Sequence, residues 1–465
     1  MTEKEEGDSR YIEGKKRQAL KISIEEGAST RVAYGFGNNY IAPFALALKA
    51  NSTQVGMLSS LGILTYTFVQ AFASRLLEKN SRKSVATRLI IFEAVFWVAL
   101  ATLGVAAHYG KISVMAIYTL IALYVLLMAA MGLAYPAWFS WMGDLIPEKE
   151  RGRYLSKRNM ASGAVEIATM AIGIALIRAF ENSGLLLWGL ACFFFISAGF
   201  KIVSYTLLQK QYEPRFKLKK ESEFSIFSFL RRYDDVGKFA VYQGAFYFSI
   251  MIASPFFIVY MAKELQFSTF LYMAILFSSA LFSLIFLPLA GKFSDKYGNI
   301  KLLQISALFF TIAPLLWLFS RNPLWLGTVP QIATAIANSS LVIAYTNFCY
   351  NSASREHRAL CISYSNVLIG IGTFFGALIG GLILDHVVVP GISIFLFVFI
   401  ISAILRALTS IYFLPRIKEK KMFEHVPPIH TSLSHQAKIL HSEIGWVNEV
   451  GRKNYTQGLK IWKSS

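Results

Sequence analysis

The chain is short of charge. Only 16% of its 465 residues are Asp, Glu, Lys or Arg, while 55% are hydrophobic, and its mean hydropathy is +0.48. A soluble fold of this composition would lack polar surface to face water, so a water-soluble protein is excluded. Cysteine is nearly missing. Cys192, Cys349 and Cys361 sit in or beside apolar segments without metal-like spacing, which excludes a disulfide framework and a zinc site. The first 30 residues offer no apolar core and no small-residue cleavage site, so no secretory signal peptide is expected. There is no GxxxxGK[ST] loop, no HExxH and no GxSxG, which argues against a nucleotide-driven pump and against an intramembrane enzyme, and leaves no cofactor to expect.

Apolar runs are what the chain has in quantity. Crossing about 30 Å of hydrocarbon takes roughly 20 apolar residues at about 1.5 Å each. Twelve such segments are expected near 31–49, 53–74, 84–107, 112–142, 157–180, 184–208, 237–262, 267–290, 299–320, 322–349, 357–384 and 389–415. Lys and Arg accumulate on the cytoplasmic side of membrane proteins. With a cytosolic amino terminus, 38 of the 46 fall in the inside segments. The net charge of +19 is thus a topology signal, with no nucleic acid implied. This reading divides the chain into a cytosolic tail (1–30), a six-helix bundle (31–208), a basic linker (209–236), a second six-helix bundle (237–415) and a cytosolic tail (416–465). In the linker, Phe224, Phe227 and Leu230 recur at helical spacing, as on an interfacial helix lying against membrane lipid. The final tail carries His425, His430, His435 and His441, whose spacing matches no metal motif.

The two halves repeat one another. RGRYLSKRNMASG (151–163) returns as RALCISYSNVLIG (358–370), with Arg151, Ser156, Asn159 and Gly163 matched by Arg358, Ser363, Asn366 and Gly370, each 207 positions on (358 minus 151). SRLLEKNSRKS (74–84) joins crossings two and three as GKFSDKYGNIK (291–301) joins eight and nine, with Glu78 and Asp295 in equivalent places.

On these residues the sequence resembles the major facilitator superfamily of secondary transporters. Gly291, Asp295, Lys296 and Gly298 match its loop signature of Gly, Asp, basic residue and Gly. The first copy departs from it, with Ser74 and Ser81 for glycines and Glu78 for Asp, although Arg82 and Lys83 fit its basic end. DLIPEKERGR (144–153) resembles the segment between crossings four and five. The resemblance implies an all-α membrane protein of 12 transmembrane helices in two pseudo-symmetric bundles, working as a monomer by alternating access. It also implies a cytosolic gate, with Asp295 facing Arg151 and Arg153, and Glu78 facing Arg358. A carboxylate beside a helix N-terminus has a physical rationale there, because the first N–H groups and the helix dipole favour negative charge.

Charge inside the lipid layer is expensive and usually faces a cavity or a partner. Glu166 lies near the middle of crossing five, Glu93 in crossing three and Arg406 in crossing twelve, while Lys201 is placed to snorkel. The resemblance puts crossing five on the pathway and crossings three and twelve outside it. Glu166 is therefore the candidate for binding and releasing a coupling proton, and Glu93 and Arg406 are assigned structural roles. A cavity lining is expected from Tyr34, Asn38, Asn39, Tyr135, Trp138, Gln243, Tyr247, Gln331, Asn338 and Tyr345, which recur at helical spacing on the inner crossings. Aromatic and amide-rich, this set suits a neutral or amphipathic small organic solute. The functional expectation is a proton-coupled secondary transporter of the plasma membrane, both termini cytosolic, exporting its solute. A nutrient importer of the same fold, or a non-transporting sensor or lipid-handling protein, is the alternative.

Overall fold

The computed structural model describes residues 3–73, 76–77, 80–110, 115–147, 151–214, 235–352 and 358–417, and all regular structure among them is helical. Ten helical stretches are long and apolar enough to cross a membrane among the described residues. Crossings three to six are α4 (Arg82–His108), α5 (Ala116–Leu145), α6 (Arg151–Asn182) and α7 (Leu186–Lys210). The seventh is broken into α8 (Asp235–Met251), α9 (Phe256–Val259) and a wide-turned Tyr260–Glu264 segment. The last five are α10 (Thr269–Tyr297), α11 (Asn299–Leu315), α12 (Pro323–Ser352), α13 (Arg358–His386) and α14 (Ile394–Phe413). The first two crossings escape a hydropathy criterion for physical reasons. Crossing one is the polar α1 (Glu3–Phe36) followed, after a break at Gly37, by α2 (Ile41–Ala47). Crossing two, α3 (Ser52–Val69), is diluted by Ser, Thr and Gln.

The segment expected as a cytosolic tail (1–30) is helical from Glu3 on and packs in part against the bundle. The helix runs on from Glu3 to Phe36, and Ala19, Ser23 and Glu26 are buried against α6 and α7. Ala19, Ser23 and Gly27 recur every fourth residue, a small-residue stripe that lets neighbouring helices approach.

The halves meet along two related seams, α3 against α13 and α6 against α10. One face of the membrane domain carries the start of α1 and the end of α14; it is called here the tail face, and its opposite the far face. The glycine run at 370–381 makes the first seam and the α8–α13 contact. A Cβ on Gly372, Gly376 or Gly380 would lie 2.0, 2.3 or 2.2 Å from the carbonyls of Gly244, Phe248 and Ile252, so α8 and α13 touch backbone to backbone along three turns. Gly56 is pressed in the same way against Ala377 O across the halves.

The duplication reaches into backbone conformation. Among the described residues, the two non-glycine residues with positive φ are Lys49 (62°) and Gln266 (55°), 217 positions apart, the spacing that also relates Glu78 to Asp295. Each stands two residues before a helix cap, Asn51 for α3 and Ser268 for α10.

Arg406 is buried, and among the described residues no carboxylate meets it. Its guanidinium donates to Phe310 O (2.7 Å) and Ile250 O (3.0 Å). Phe310 O is the carbonyl that Pro314, four residues on and lacking an N–H, cannot satisfy. Gln331 works alike, its Nε2 donating to Leu326 O (3.2 Å), the carbonyl orphaned by Pro330.

Candidate functional site

The polar machinery is concentrated in the first half, around α1. Glu26 on α1 pairs with Arg158 on α6 (2.9 Å) and accepts from Thr30 Oγ1 (2.8 Å). Arg158 also donates to Ser23 O (3.0 Å), and its guanidinium lies 4.4 Å over the Trp138 ring. One turn further along, Lys201 on α7 pairs with Glu93 on α4 (2.6 Å) and sits 4.8 Å over the Tyr34 ring. Deepest is Arg31 on α1 with Glu166 on α6 (2.6 Å), near the midpoint of a helix that runs from Arg151 to Asn182.

Burial separates the three pairs. Lys201 and Glu93 keep 2% and 3% of their side-chain exposure, Arg158 and Glu26 11% and 5%, but Arg31 and Glu166 keep 42% and 28%. The expectation that Lys201 snorkels is therefore corrected: it turns inward because Glu93 offers a charge partner between α4 and α7. Removing one member of such a pair strands the other in a dry interior, at a cost of about 3 kcal/mol. Glu93→Gln is thus expected to lower the thermal midpoint of the purified protein, and Glu93→Gln combined with Lys201→Met to regain most of the loss. If the single variant melts with the wild type, the pair is not structural.

A cavity of about 150 Å³ opens among these residues, walled by Tyr34, Tyr66, Tyr135 and Trp138 with Arg31 and Arg158 at its rim. Tyr135 is 46% exposed, its ring 6.0 Å from Phe139 and 6.2 Å from Trp138. Of the expected lining, the structure gathers Tyr34, Tyr135 and Trp138 here. Asn38 and Asn39 sit half-buried in the break of crossing one. In the second half, Asn338 is exposed and Tyr247 half-buried, and Tyr345 donates to Asn366 Oδ1 (3.1 Å). Gln243 and Gln331, also expected in the lining, are both buried. Gln331 is committed to a carbonyl, and Gln243 has neither amide atom hydrogen-bonded among the described residues.

At the tail face the expected gate is only partly in view. Glu78 lies outside the described residues, and the side chains of Arg151, Arg153 and Arg358 are likewise outside them. Asp295 and Lys296 are exposed, and Gly298 (φ 92°) ends α10 where a side chain would be strained. Gly291 lies within α10 with open space beside it. Arg82 and Lys83 work inside their own half. Arg82, fully buried, donates to Asp144 Oδ2 (2.6 Å) and Ser140 O (3.0 Å), and Lys83 to Gln209 O (2.6 Å) and Gln211 O (3.1 Å). They fasten the start of α4 to the ends of α5 and α7. In the second half, Asn299, 217 positions after Arg82, takes part in a matching staple, as Ser294 Oγ donates to Asn299 Oδ1 (2.6 Å) and accepts from Asn347 Nδ2 (3.1 Å).

The far face carries two carboxylates that the sequence reading passed over. Asp385, at the end of α13, accepts from Ser52 N (3.2 Å) and Thr53 N (2.7 Å), the first two N–H groups of α3. Glu181, at the end of α6, accepts from Thr269 N (2.7 Å) and Phe270 N (3.2 Å), the first two of α10. The third N–H of each helix is taken by its own cap, Asn51 Oδ1 (2.8 Å) or Ser268 Oγ (3.3 Å). Each half thus completes the helix start of the other, using charge where the dipole favours it. Lys263 Nζ adds a bond to Ala50 O (2.7 Å) across the same gap. A signal was present: Glu181 and Asp385 end the two helices that begin with the 207-spaced repeat.

A family model described as Major Facilitator Superfamily matches residues 28–236 and 239–453. The riboflavin transporter RibZ of Clostridioides difficile (strain 630) is 30% identical over 128 residues, 27% of this chain and 27% of that protein. The class H tetracycline resistance protein of Pasteurella multocida is 24% identical over 160 residues, 34% of this chain and 39% of its own length. The matched segments thus span only about a quarter and two-fifths of these relatives. Among solved structures, the nucleoside transporter NupG superposes with a TM-score of 0.64 at 15% identity, covering 87% of this chain and 100% of that one. A bacterial homologue of ferroportin gives 0.66 at 14%, covering 86% and 99%. These likenesses carry the fold. With two related helical halves joined by two related seams and a family match along nearly its whole length, the chain belongs to the Major Facilitator Superfamily.

Proposed function

We propose that the protein is a proton-coupled exporter of small, neutral or amphipathic organic solutes with planar rings, seated in the plasma membrane with both termini cytosolic. The observation that carries the coupling is the contrast among its ion pairs: two are dry and fixed, while Arg31–Glu166 stays open to water in mid-membrane. A wet carboxylate can exchange its proton with whichever side the cavity faces. With Glu166 ionised, the pair offers its guanidinium donors and carboxylate oxygens to a polar group on the solute. A proton taken up by Glu166 from the outer side dissolves the pair and releases the solute there, and loss of that proton to the cytosol restores the pair, so proton and solute travel in opposite directions. The four aromatic walls of the adjoining cavity supply faces for ring stacking, and the tally of cations and acids there favours a solute of little net charge. Riboflavin and tetracycline, named in the two relatives, are both fused-ring molecules. The drug-resistance relative supports export, and the clustering of Lys and Arg in the tail-face loops supports cytosolic termini.

The test is transport in proteoliposomes under an imposed pH gradient, with riboflavin and tetracycline as the probes. One of them is expected to accumulate against its gradient while protons move the other way, by up to about tenfold per pH unit. Movement that persists unchanged when an ionophore collapses the gradient would remove the coupling and leave a facilitator.

A further inference from the structure

We infer that the tail face holds a binding site for an anionic phospholipid headgroup, built on three lysines from three separate elements. A pocket of about 390 Å³ is lined by Lys15 of α1, Lys83 of α4 and Lys210 of α7, with Tyr212 and Glu213. It lies where α1 leaves the membrane domain, α4 begins and α7 ends, so it stands at headgroup level. It is separate from the aromatic cavity and serves no step of transport described above.

Charge decides the ligand's sign. Glu213 is the acid among the lining residues, and it is already engaged, 3.7 Å from Arg82 Nε and accepting from Lys83 N (3.3 Å). Lys83 spends two of its donors on carbonyls and retains its charge and a third. Lys15 lies 5.9 Å from the Tyr212 ring, and Lys210 is exposed in the last turn of α7. A phosphodiester has the charge and the acceptors to bridge ammonium groups placed in this way.

What selects a lipid over free phosphate is the surface leading away from the pocket. Seven residues deeper, on the same face of α7 as Lys210, is Val203 (44% exposed), with Ile202 (51%) beside it and Phe195 (42%) two further turns down. Seven residues is about 10 Å of helix, the upper part of one leaflet's acyl region. A lipid seated on the lysines would lay its chains along that stripe. Lysines near a membrane surface attract anionic lipid by about a factor of five each.

The test uses the full chain in detergent, with native mass spectrometry counting retained phosphatidylglycerol against phosphatidylcholine. Lys15→Gln with Lys210→Gln is expected to lower phosphatidylglycerol affinity by about thirtyfold. Lys292→Gln, at the tail face of the other half, is expected to leave it unchanged, and Lys15→Arg with Lys210→Arg to retain it. Lys83 is spared because it fastens the start of α4. Thermal midpoints in phosphatidylcholine alone check that the variants are folded. The assignment is overturned if the double Gln variant binds as the wild type does, if Lys292→Gln costs as much, or if inorganic phosphate competes the lipid away at equal concentration.

Discussion

Replacing Asp385 and Glu181 together with alanine is expected to open the far face. Each carboxylate accepts two backbone N–H groups from a helix of the opposite half. Removing it leaves those donors and the positive helix end without an acceptor, at a cost of about 2 kcal/mol per site. The cost falls on the closed far face alone, because the bonds join groups from different halves and separation exposes the donors to water in any case. Two sites together, about 4 kcal/mol, move the ratio of far-open to far-closed molecules by nearly three decades. Transporter states usually lie within a few kcal/mol of each other, so the population should invert. The readout is labelling of a single cysteine at Val55, which is fully buried in α3, in a chain with Cys192, Cys349 and Cys361 replaced. Labelling should rise steeply in the double variant and by an intermediate amount in each single one. Equal labelling in all four proteins would reduce the carboxylates to local helix caps.

The same pair shows how far the sequence could be read and where it stopped. Hydropathy and Lys/Arg distribution are summed over twenty residues at a time, so the helical halves and the family survived errors at single positions. The 217-residue spacing between Glu78 and Asp295 was visible in the letters, and the positive-φ pair Lys49 and Gln266 obeys it too. A backbone conformation shared by Lys and Gln leaves no trace in residue type. Glu181 and Asp385 were passed over because acids at the ends of crossings look like ordinary solvated residues until the opposing helix start is placed against them.

Partners decided the remaining differences. Glu26 was assigned to a tail because charge precedes the apolar run, yet Arg158, seven residues after the start of α6, neutralises it, and the pair can then be buried. Lys201 and Glu93 cancel in the same way. Arg406 and Gln331 are explained by prolines four residues from the carbonyls they fill. For Pro314 the side chain that fills the open carbonyl, Arg406, comes from a helix far away in the chain, whereas for Pro330 it is Gln331 of the same helix.

Glu166→Gln is expected to abolish accumulation driven by a pH gradient while leaving the protein folded and able to exchange solute. Gln has nearly the size of Glu and can still accept from Arg31, but it has no proton to release. With 42% and 28% of their side chains exposed, Arg31 and Glu166 are screened by water, and the pair contributes at most about 1 kcal/mol to stability. The thermal midpoint should therefore stay close to that of the wild type, unlike the loss expected for Glu93→Gln in its dry pair. The rate of the Gln variant should not respond to an imposed pH gradient, whereas that of the wild type should. Counterflow of labelled against unlabelled solute needs no net proton movement, so it should persist within a few-fold. The two variants thus exchange phenotypes: one loses stability and keeps coupling, the other keeps stability and loses coupling. Gradient-driven accumulation that survives in Glu166→Gln would place the proton elsewhere, and the dry Glu26–Arg158 pair, linked through Thr30 to Ser204 (3.0 Å), would be the next position to neutralise.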